Sequence, residues 1–147
     1  DLALAFDGQR YGWFEDLDRL TIFADNLVPH VLRVEGVLEY DDGLLARINA
    51  GELIPAGSPE EVEIRACGLH AVELLVDELR SMGCSVTARE LDFVLWNRGQ
   101  GRRFKSLPRH RTRPVHRDLT ITKSVTIYSF GACKIQSAIG RCYFSIE

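Results

Sequence analysis

The sequence predicts a mainly helical domain that ends in a short tail of different character. Two N-terminal capping boxes, Ser58 to Glu61 and Thr87 to Glu90, support the helical part, because each places a hydroxyl side chain three residues before a glutamate. Apolar residues at steps of three and four follow the first box, as in an amphipathic helix. From Leu119 to Phe130 the apolar residues alternate instead, which is typical of a β-strand or hairpin.

Three short helices should precede the first capping box. The first, Leu2 to Phe6, is apolar and alanine-rich and is broken by Asp7-Gly8. The second should run from Leu27 to Glu35 and the third from Asp42 to Asn49, each stopped by a glycine. Asp41 is well placed to be the N-cap of the third helix, since its side chain can accept a hydrogen bond from the first turn.

Two longer helices follow an extended connector at Leu53 to Pro55. The first should begin behind Ser58 and end near Met82, and the second should run from Thr87 through Trp96. We expect the longer helix to bury one apolar stripe and to leave most of its charged residues in solvent. The expected stripe is Val62, Ala66, Leu69, Val72, Val76, Leu79 and Met82.

The segment from Gly99 to Arg117 is basic and rich in turn-forming residues. Eight of the chain's 18 lysine and arginine side chains lie between Arg98 and Arg117, although the net charge of the chain is −3. Two interpretations stay open at this point. The segment is either a solvated basic loop or a surface that faces phosphate groups.

The length and composition are those of a single domain. With 147 residues, 46% of them hydrophobic, the chain can bury one core. It has no apolar run of about 20 residues and no secretory signal, so no membrane partner is predicted. The chain begins at Asp1 and its only methionine is Met82, from which we expect a fragment of a larger cytoplasmic protein. The cysteines and histidines lack metal-site spacing, which predicts reduced thiols and no bound metal.

The most informative single residue is Asp25, a lone carboxylate inside the apolar run from Leu20 to Leu32. Removing a carboxylate from water is costly unless it is compensated, so such a residue is a candidate for function. The structural alternative is a helix start, in which Asn26 is the N-cap, Pro29 lies in the first turn and Asp25 only faces the positive helix end. The local pattern by itself favours this second interpretation.

Four segments carry a resemblance to a known family. They are Thr21-Ile22-Phe23-Ala24-Asp25-Asn26 with Val28-Pro29, then Glu61-Val62-Glu63-Ile64-Arg65-Ala66-Cys67, Leu91-Asp92-Phe93-Val94-Leu95-Trp96 and Pro108-Arg109-His110-Arg111-Thr112-Arg113. In this order and at these separations they resemble the queuosine salvage proteins, the queuosine 5′-phosphate N-glycosylase/hydrolase family. Residues 1–117 would correspond to the C-terminal part of such a protein, and residues 118–147 would form a tail of unknown structure.

The resemblance implies a fold similar to the helix-hairpin-helix DNA glycosylases. It also implies hydrolysis of the N-glycosidic bond of queuosine 5′-phosphate, which releases queuine for reuse in tRNA. Asp25 matches the family's nucleophile or transition-state stabiliser, since a fixed carboxylate stabilises the positive charge that develops on the ribose. Phe23 would stack on the base or ribose, and Asp92 would accept hydrogen bonds from the guanine-like edge of queuine. No cofactor is implied.

Three further residues complete the expected site. Thr87, as the cap of its helix, would bring the positive end of that helix close to the ligand. Glu63 and Arg65 would either contact the substrate or form a pair that holds the helices of the site together. Two departures from the family matter here. The family's lysine upstream of the aspartate and the half that closes the pocket would both precede Asp1, so we expect little or no activity from this chain alone.

Two other classes of protein compete with the enzyme. One is a helical RNA- or tRNA-binding module that uses Arg98 to Arg117, but Phe104 is the only aromatic residue interleaved with its eight cations and such modules usually offer several stacking platforms. The other is a plain helical interaction domain in which Asp25 is only a cap. On the enzyme reading the partner is a small-molecule substrate, queuosine 5′-phosphate or queuine, and no stable nucleic-acid partner is expected.

Overall fold

A computed structural model describes residues 2–113 and 133–135, and this part of the chain is mainly helical. Two short 3₁₀ turns, Arg10–Gly12 and Leu17–Arg19, lie between the first two α-helices. The helices that the structure describes are α1 (Leu2–Ala5), α2 (Val28–Val34), α3 (Asp42–Asn49), α4 (Pro59–Ser81), α5 (Ala88–Arg98) and α6 (Arg102–Lys105).

Two small sheets join segments that are far apart in the sequence. The strands are β1 (Leu38–Tyr40), β2 (Leu53–Pro55), β3 (Arg111–Arg113) and β4 (Cys133–Ile135). Strand β1 pairs antiparallel with β4, with Leu38 opposite Ile135. Strand β2 pairs parallel with β3, with Leu53 opposite Arg111. The second sheet therefore fixes the end of the basic segment against the connector that precedes α4.

The predicted N-caps of α3, α4 and α5 are confirmed. The capping box predicted for α4 is only half formed, because the Glu61 side chain accepts from the Gly57 backbone N–H. The side chain of Asp41 accepts a hydrogen bond from the Leu44 backbone N–H at 2.9 Å. Ser58 caps α4, and Thr87 and Glu90 form the reciprocal capping box of α5. These interactions join residues only three positions apart, so the local sequence is sufficient to specify them.

The prediction of an irregular basic segment from Gly99 to Arg117 is wrong for two of its parts. Arg102–Lys105 forms α6, and Arg111–Arg113 forms β3. Helix α6 exists because Phe104 is buried in the core and anchors the turn. Strand β3 exists because β2, more than fifty residues earlier, offers it a backbone partner. Residues 114–117 lie outside the described part of the chain.

The predicted buried stripe of α4 is wrong at its two ends, Val62 and Met82, whereas Leu69 and Leu79 are partly buried and pack against the core. Val62 is 50% exposed and Met82 is 70% exposed, and only Val72 and Val76 of the expected set belong to the buried core. The buried face instead carries Glu61, Ile64, Cys67, Gly68, Ala71, Val72, Leu75 and Val76. Helix α4 contacts α2, α5 and strands of both sheets, so these neighbours select its buried face from a helix that is apolar on several sides.

The core lies where α2 packs against α4 and α5. Gly68 permits the close approach of α2, because a Cβ atom at this position would lie 3.0 Å from Cγ of Pro29. Gly99 does the same at the end of α5, where a Cβ atom would lie 2.7 Å from Cγ of Leu27. These contacts fix the start of α2, and with it the loop that contains Asp25.

The remaining expectations concern the cysteines, membrane-spanning helices and the C-terminal tail. Cys84 is a free thiol, as predicted. No described helix is both long and apolar enough to cross a bilayer. The tail prediction falls largely on residues that the structure does not describe, since Leu119 to Phe130 lie outside the described ranges.

Candidate active site

Four segments of the chain surround one cleft of about 840 Å³. They are the loop before α2, Arg65 of α4, the C-terminal end of α5 with Trp96 and Gln100, and the segment from Phe104 to Arg109. This volume lies in the range of small-molecule sites. Asp25 and Phe23 both line the cleft, so the structure brings together the two residues that the sequence analysis placed closest to the substrate.

The two carboxylate oxygens of Asp25 have different environments. Oδ1 accepts hydrogen bonds from the backbone N–H groups of Leu27 at 2.7 Å and Val28 at 3.0 Å. Oδ2 has no hydrogen-bond partner among the described residues. The N-cap residue of α2 is Leu27, and it is Asp25, rather than Asn26, whose side chain accepts from the first backbone N–H groups of the helix. The two interpretations of Asp25 are therefore compatible. One oxygen fixes the carboxylate to the helix start, and the other is free to face a ligand.

The backbone next to Asp25 is tied to α4. Arg65 donates one hydrogen bond to the Ala24 carbonyl and another to the carboxylate of Glu61, which is buried. The second oxygen of Glu61 accepts from the Gly57 backbone N–H at 3.1 Å. Glu61 thus connects the N-terminal turn of α4 with the loop that carries Asp25.

This arrangement corrects the expectation for Glu63 and Arg65. Arg65 does line the cleft, but its ion-pair partner is Glu61, four residues earlier, and not Glu63. Glu63 makes other interactions and is not among the residues that line the cleft. Residues at i and i+4 lie on the same helix face, whereas residues at i and i+2 do not.

Phe23 and Asp92 meet through the backbone. The side chain of Phe23 is 80% exposed at the cleft, while its backbone N–H donates a hydrogen bond to the Asp92 carboxylate. Burial raises the pKa of the Asp92 carboxyl above its ordinary value, the Phe23 hydrogen bond lowers it, and the nearby charge of Asp25 raises it further. Oδ1 of Asp92 is buried and has no partner among the described residues, so it retains the capacity to accept a hydrogen bond.

Thr87 is not brought together with the other predicted residues. It lies at the N-terminal end of α5, beside a second, smaller cavity of about 490 Å³ that Asp18 and Arg80 also line. The cleft adjoins the opposite end of α5, at Trp96 and Gln100. An 11-residue helix is about 16 Å long, so the positive end of α5 cannot reach the cleft, and the predicted role of Thr87 does not fit this geometry.

Two residues of α2 that the sequence analysis did not single out hold the far wall of the cleft. Nε2 of His30 lies 2.9 Å from the Phe104 carbonyl, and Nδ1 lies 3.2 Å from Nη2 of Arg33. A carbonyl only accepts and a guanidinium only donates, so both contacts are satisfied by neutral His30 with its proton on Nε2. Burial lowers the pKa of His30, in agreement with a neutral ring. Arg33 also donates to the Pro108 carbonyl at 2.8 Å.

His110 lies behind this wall and is 1% exposed. Neither of its ring nitrogens has a hydrogen-bond partner among the described residues. Burial lowers the pKa of His110 to about 4, and the positive charge of Arg65 acts in the same direction. Its sequence neighbours gave no sign of this burial, because they are exposed arginines and a proline. The described residues contain no cluster of three side chains suited to a metal ion.

The structure thus shows a mainly helical protein with one cleft whose lining includes a single carboxylate, Asp25, among the described residues. The family model described as queuosine salvage protein matches residues 1–117, and the chain belongs to this family. The resemblance that the four sequence segments indicated is therefore confirmed.

Three relatives illustrate the similarity, and each is named queuosine 5′-phosphate N-glycosylase/hydrolase. The protein of Sphaerobacter thermophilus is 49% identical over 115 residues, which cover 78% of this chain and 36% of the relative. That of Dictyostelium discoideum is 41% identical over 115 residues, with the same coverage of 78% and 36%. That of Mus musculus is 35% identical over 125 residues, which cover 79% of this chain and 37% of the relative. The chain thus spans little more than a third of the length of these curated relatives.

Proposed function

We propose that this chain carries the acidic centre of an enzyme that hydrolyses the N-glycosidic bond of queuosine 5′-phosphate and releases queuine. The observation that carries this proposal is the state of Asp25, whose Oδ1 is held by two backbone N–H groups while Oδ2 is free in a cleft. Relatives at 35 to 49% identity carry the name of this activity, which supports the same reaction here.

The chemistry requires a fixed negative charge below the sugar. When the bond between ribose C1′ and the base nitrogen breaks, its electron pair leaves with the base and positive charge builds on the ribose. Oδ2 of Asp25 stabilises this charge, either by attack on C1′ or by activation of the water that attacks it. The water oxygen ends on C1′ and a proton ends on the base. Because Oδ1 is already hydrogen-bonded, the carboxylate does not have to reorganise during the reaction.

The neighbouring side chains suit the base. Phe23 exposes an aromatic face to the cleft, on which queuine or the ribose can stack. Asp92 is not among the residues that line the cleft, but it lies beside Phe23 and has one buried oxygen without a partner among the described residues, which could accept from the guanine-like edge of a base stacked on Phe23. Queuine is a 7-deazapurine and lacks the ring nitrogen at which ordinary purines are protonated. The reaction therefore depends more strongly on stabilisation at the sugar.

Several finer expectations belong to this proposal. The fold of the whole protein would be similar to the helix-hairpin-helix DNA glycosylases, and the reaction would take place in the cytoplasm without a cofactor. The relatives are almost three times as long as the matched segment, and we propose that a complete site needs a further part of the protein. This chain alone would then turn over queuosine 5′-phosphate slowly or not at all.

A chimera tests the proposal directly. Residues 1–117 of this chain replace the matched segment of the Sphaerobacter thermophilus relative, and queuine release from queuosine 5′-phosphate is measured by chromatography. Asp25→Asn should lower the rate about a thousandfold, because asparagine retains the capping oxygen but not the charge. The matched control is Asp41→Asn, which makes the same change at the cap of α3. An Asp25→Asn chimera as active as the Asp41→Asn chimera would contradict the proposal.

A further inference from the structure

We propose that Glu61 is a positioning residue for the reaction, which holds Asp25 in place through Arg65. Glu61 is buried and is not among the residues that line the cleft, so it acts on a bound molecule only through other side chains. The inference deepens the proposed function and rests on it for the reaction that Asp25 performs. It assigns to α4 the task of fixing Asp25 relative to the substrate.

Both oxygens of the Glu61 carboxylate have partners. Oε1 accepts from Nε of Arg65, and Oε2 accepts from the Gly57 backbone N–H at 3.1 Å. Removing a carboxylate from water is costly unless it is paired and hydrogen-bonded. The start of α4 does not require this pair, because the Ser58 side chain caps the helix. The buried pair of Glu61 and Arg65 therefore needs an explanation other than the helix start.

Arg65 extends this pairing to the loop before α2. Its Nε donates to Glu61, while Nη1 donates to the Ala24 carbonyl. The guanidinium group is planar and its N–H directions are fixed relative to one another. By holding Nε, Glu61 therefore also sets the direction in which Nη1 points. The Ala24 carbonyl belongs to the peptide group that joins Ala24 to Asp25, so Glu61 acts on the backbone immediately before the Asp25 side chain.

Three successive residues attach the Asp25 loop to three different helices. The Phe23 backbone N–H donates to Asp92 of α5. The Ala24 carbonyl accepts from Arg65 of α4, and the Asp25 carboxylate accepts from the start of α2. The middle attachment restrains the peptide group next to Asp25, and without it this group can rotate and move Oδ2 in the cleft. A displacement of about 1 Å between reacting groups lowers a rate by up to about a hundredfold.

Amide hydrogen exchange in the full chain, measured by NMR, tests this connection without a substrate. Glu61→Gln keeps the size of the side chain and removes the charge that orients Arg65. We expect the Leu27 and Val28 amides, which donate to Asp25, to exchange about tenfold faster, because they open locally when the loop is released.

Two controls separate this local effect from a general loss of stability. The Leu44 amide, which donates to Asp41 at the start of α3, should keep its exchange rate in Glu61→Gln. Glu60→Gln makes the same change one residue earlier, at a side chain that pairs with Arg47. This control variant should leave the rates of all three amides unchanged.

A second variant covers the case in which Glu61→Gln does not fold. Arg65→Lys retains a positive charge beside the buried Glu61 carboxylate, but an ammonium group lacks the planar fork that reaches Glu61 and Ala24 together. We expect the same selective increase in the exchange of the Leu27 and Val28 amides.

The chimera with the Sphaerobacter thermophilus relative shows whether the position of Asp25 matters for the rate. Glu61→Gln should lower kcat for queuosine 5′-phosphate about a hundredfold. KM should stay unchanged, because Glu61 does not touch the substrate. The Glu60→Gln chimera should retain both constants.

The outcomes separate this role from the proposed reaction. Equal increases in exchange for the amides bound to Asp25 and to Asp41, or none for those bound to Asp25, would overturn the inference, since the pair would then be only structural. An active chimera whose kcat Glu61→Gln leaves unchanged would also overturn it. Selective exchange of the amides bound to Asp25 would support the positioning role even if the chimera were inactive. Failure of the proposed function is recognised separately, by an Asp25→Asn chimera as active as the Asp41→Asn chimera.

Discussion

Two aspartates in this protein accept hydrogen bonds from backbone N–H groups at the start of a helix, Asp25 at α2 and Asp41 at α3, but their surroundings differ. Asp41 is exposed and accepts one hydrogen bond from the first turn of α3. Asp25 accepts two from the start of α2, is half-buried, and lies in a cleft with its second oxygen free. The difference shows that a local capping pattern neither establishes nor excludes a functional carboxylate. Whether such a carboxylate is functional depends on the burial of the side chain and on the cleft beside it.

The largest effect on stability should come from the connection between Asp25 and α4. Arg65→Ala leaves the buried Glu61 carboxylate without its partner, and we expect a loss of about 3 kcal/mol in the free energy of unfolding. Urea denaturation measures this loss. Near the Asp41 cap, Arg47 forms exposed ion pairs with Glu52 and Glu60, so Arg47→Ala should have little effect. Equal losses in the two variants would show that Glu61 does not depend on Arg65.

The second effect is a pH dependence of stability that arises from the buried side chain of His110. Because the pKa of His110 is about 4 in the folded state and 6.5 as its ordinary value, the unfolded state binds more protons between these values. The free energy of unfolding is therefore highest well above pH 6.5 and falls as the pH is lowered, with a total loss of about 2 kcal/mol at pH 5.

Denaturation at several pH values compares two variants for this effect. His110→Gln should flatten the pH profile, while His70→Gln, at an exposed position, should leave it unchanged. His30 titrates in the same direction, so part of the slope should persist in His110→Gln. An unaltered profile in that variant would contradict a buried, neutral His110.

The third effect compares two glycines beside the two caps. Gly99→Ala places a methyl group 2.7 Å from Cγ of Leu27, two residues after Asp25, and we expect a loss of about 1 kcal/mol in thermal or urea denaturation. Gly43→Ala, in the first turn of α3, meets only the Asp41 side chain at 3.1 Å and should be neutral or slightly stabilising. A neutral Gly99→Ala would mean that α2 and α5 do not pack as closely as described.

The smallest effect is on the caps themselves. Asn caps helices about as well as Asp, so Asp25→Asn and Asp41→Asn should each change the free energy of unfolding by no more than about 0.5 kcal/mol. The two variants are thus matched in stability, which allows the thousandfold difference in rate expected for the chimera to be attributed to charge. A large loss of stability in Asp25→Asn alone would assign the residue a structural role beyond the cap.

Interactions between residues close together in the sequence could be predicted, whereas interactions between distant residues could not. The Asp41 and Thr87 caps and the end of α4 were predictable, because their hydrogen bonds join residues three or four positions apart. The contact between Arg65 and Ala24 spans 41 residues, and that between His30 and Phe104 spans 74. The pairing of Arg65 with Glu61 lies within one helix turn, but Glu61 was interpreted only as a capping residue.

The sequence alone predicted the N-caps of α3, α4 and α5, and its resemblance to the queuosine salvage proteins singled out Asp25 and Phe23, which the structure places in one cleft. Only the tertiary structure decided which face of α4 is buried, which end of α5 borders the cleft, and which oxygen of Asp25 is free. The physical reason is that helix starts depend on hydrogen bonds between near neighbours, whereas burial and a shared cleft depend on segments that meet only when the chain is packed.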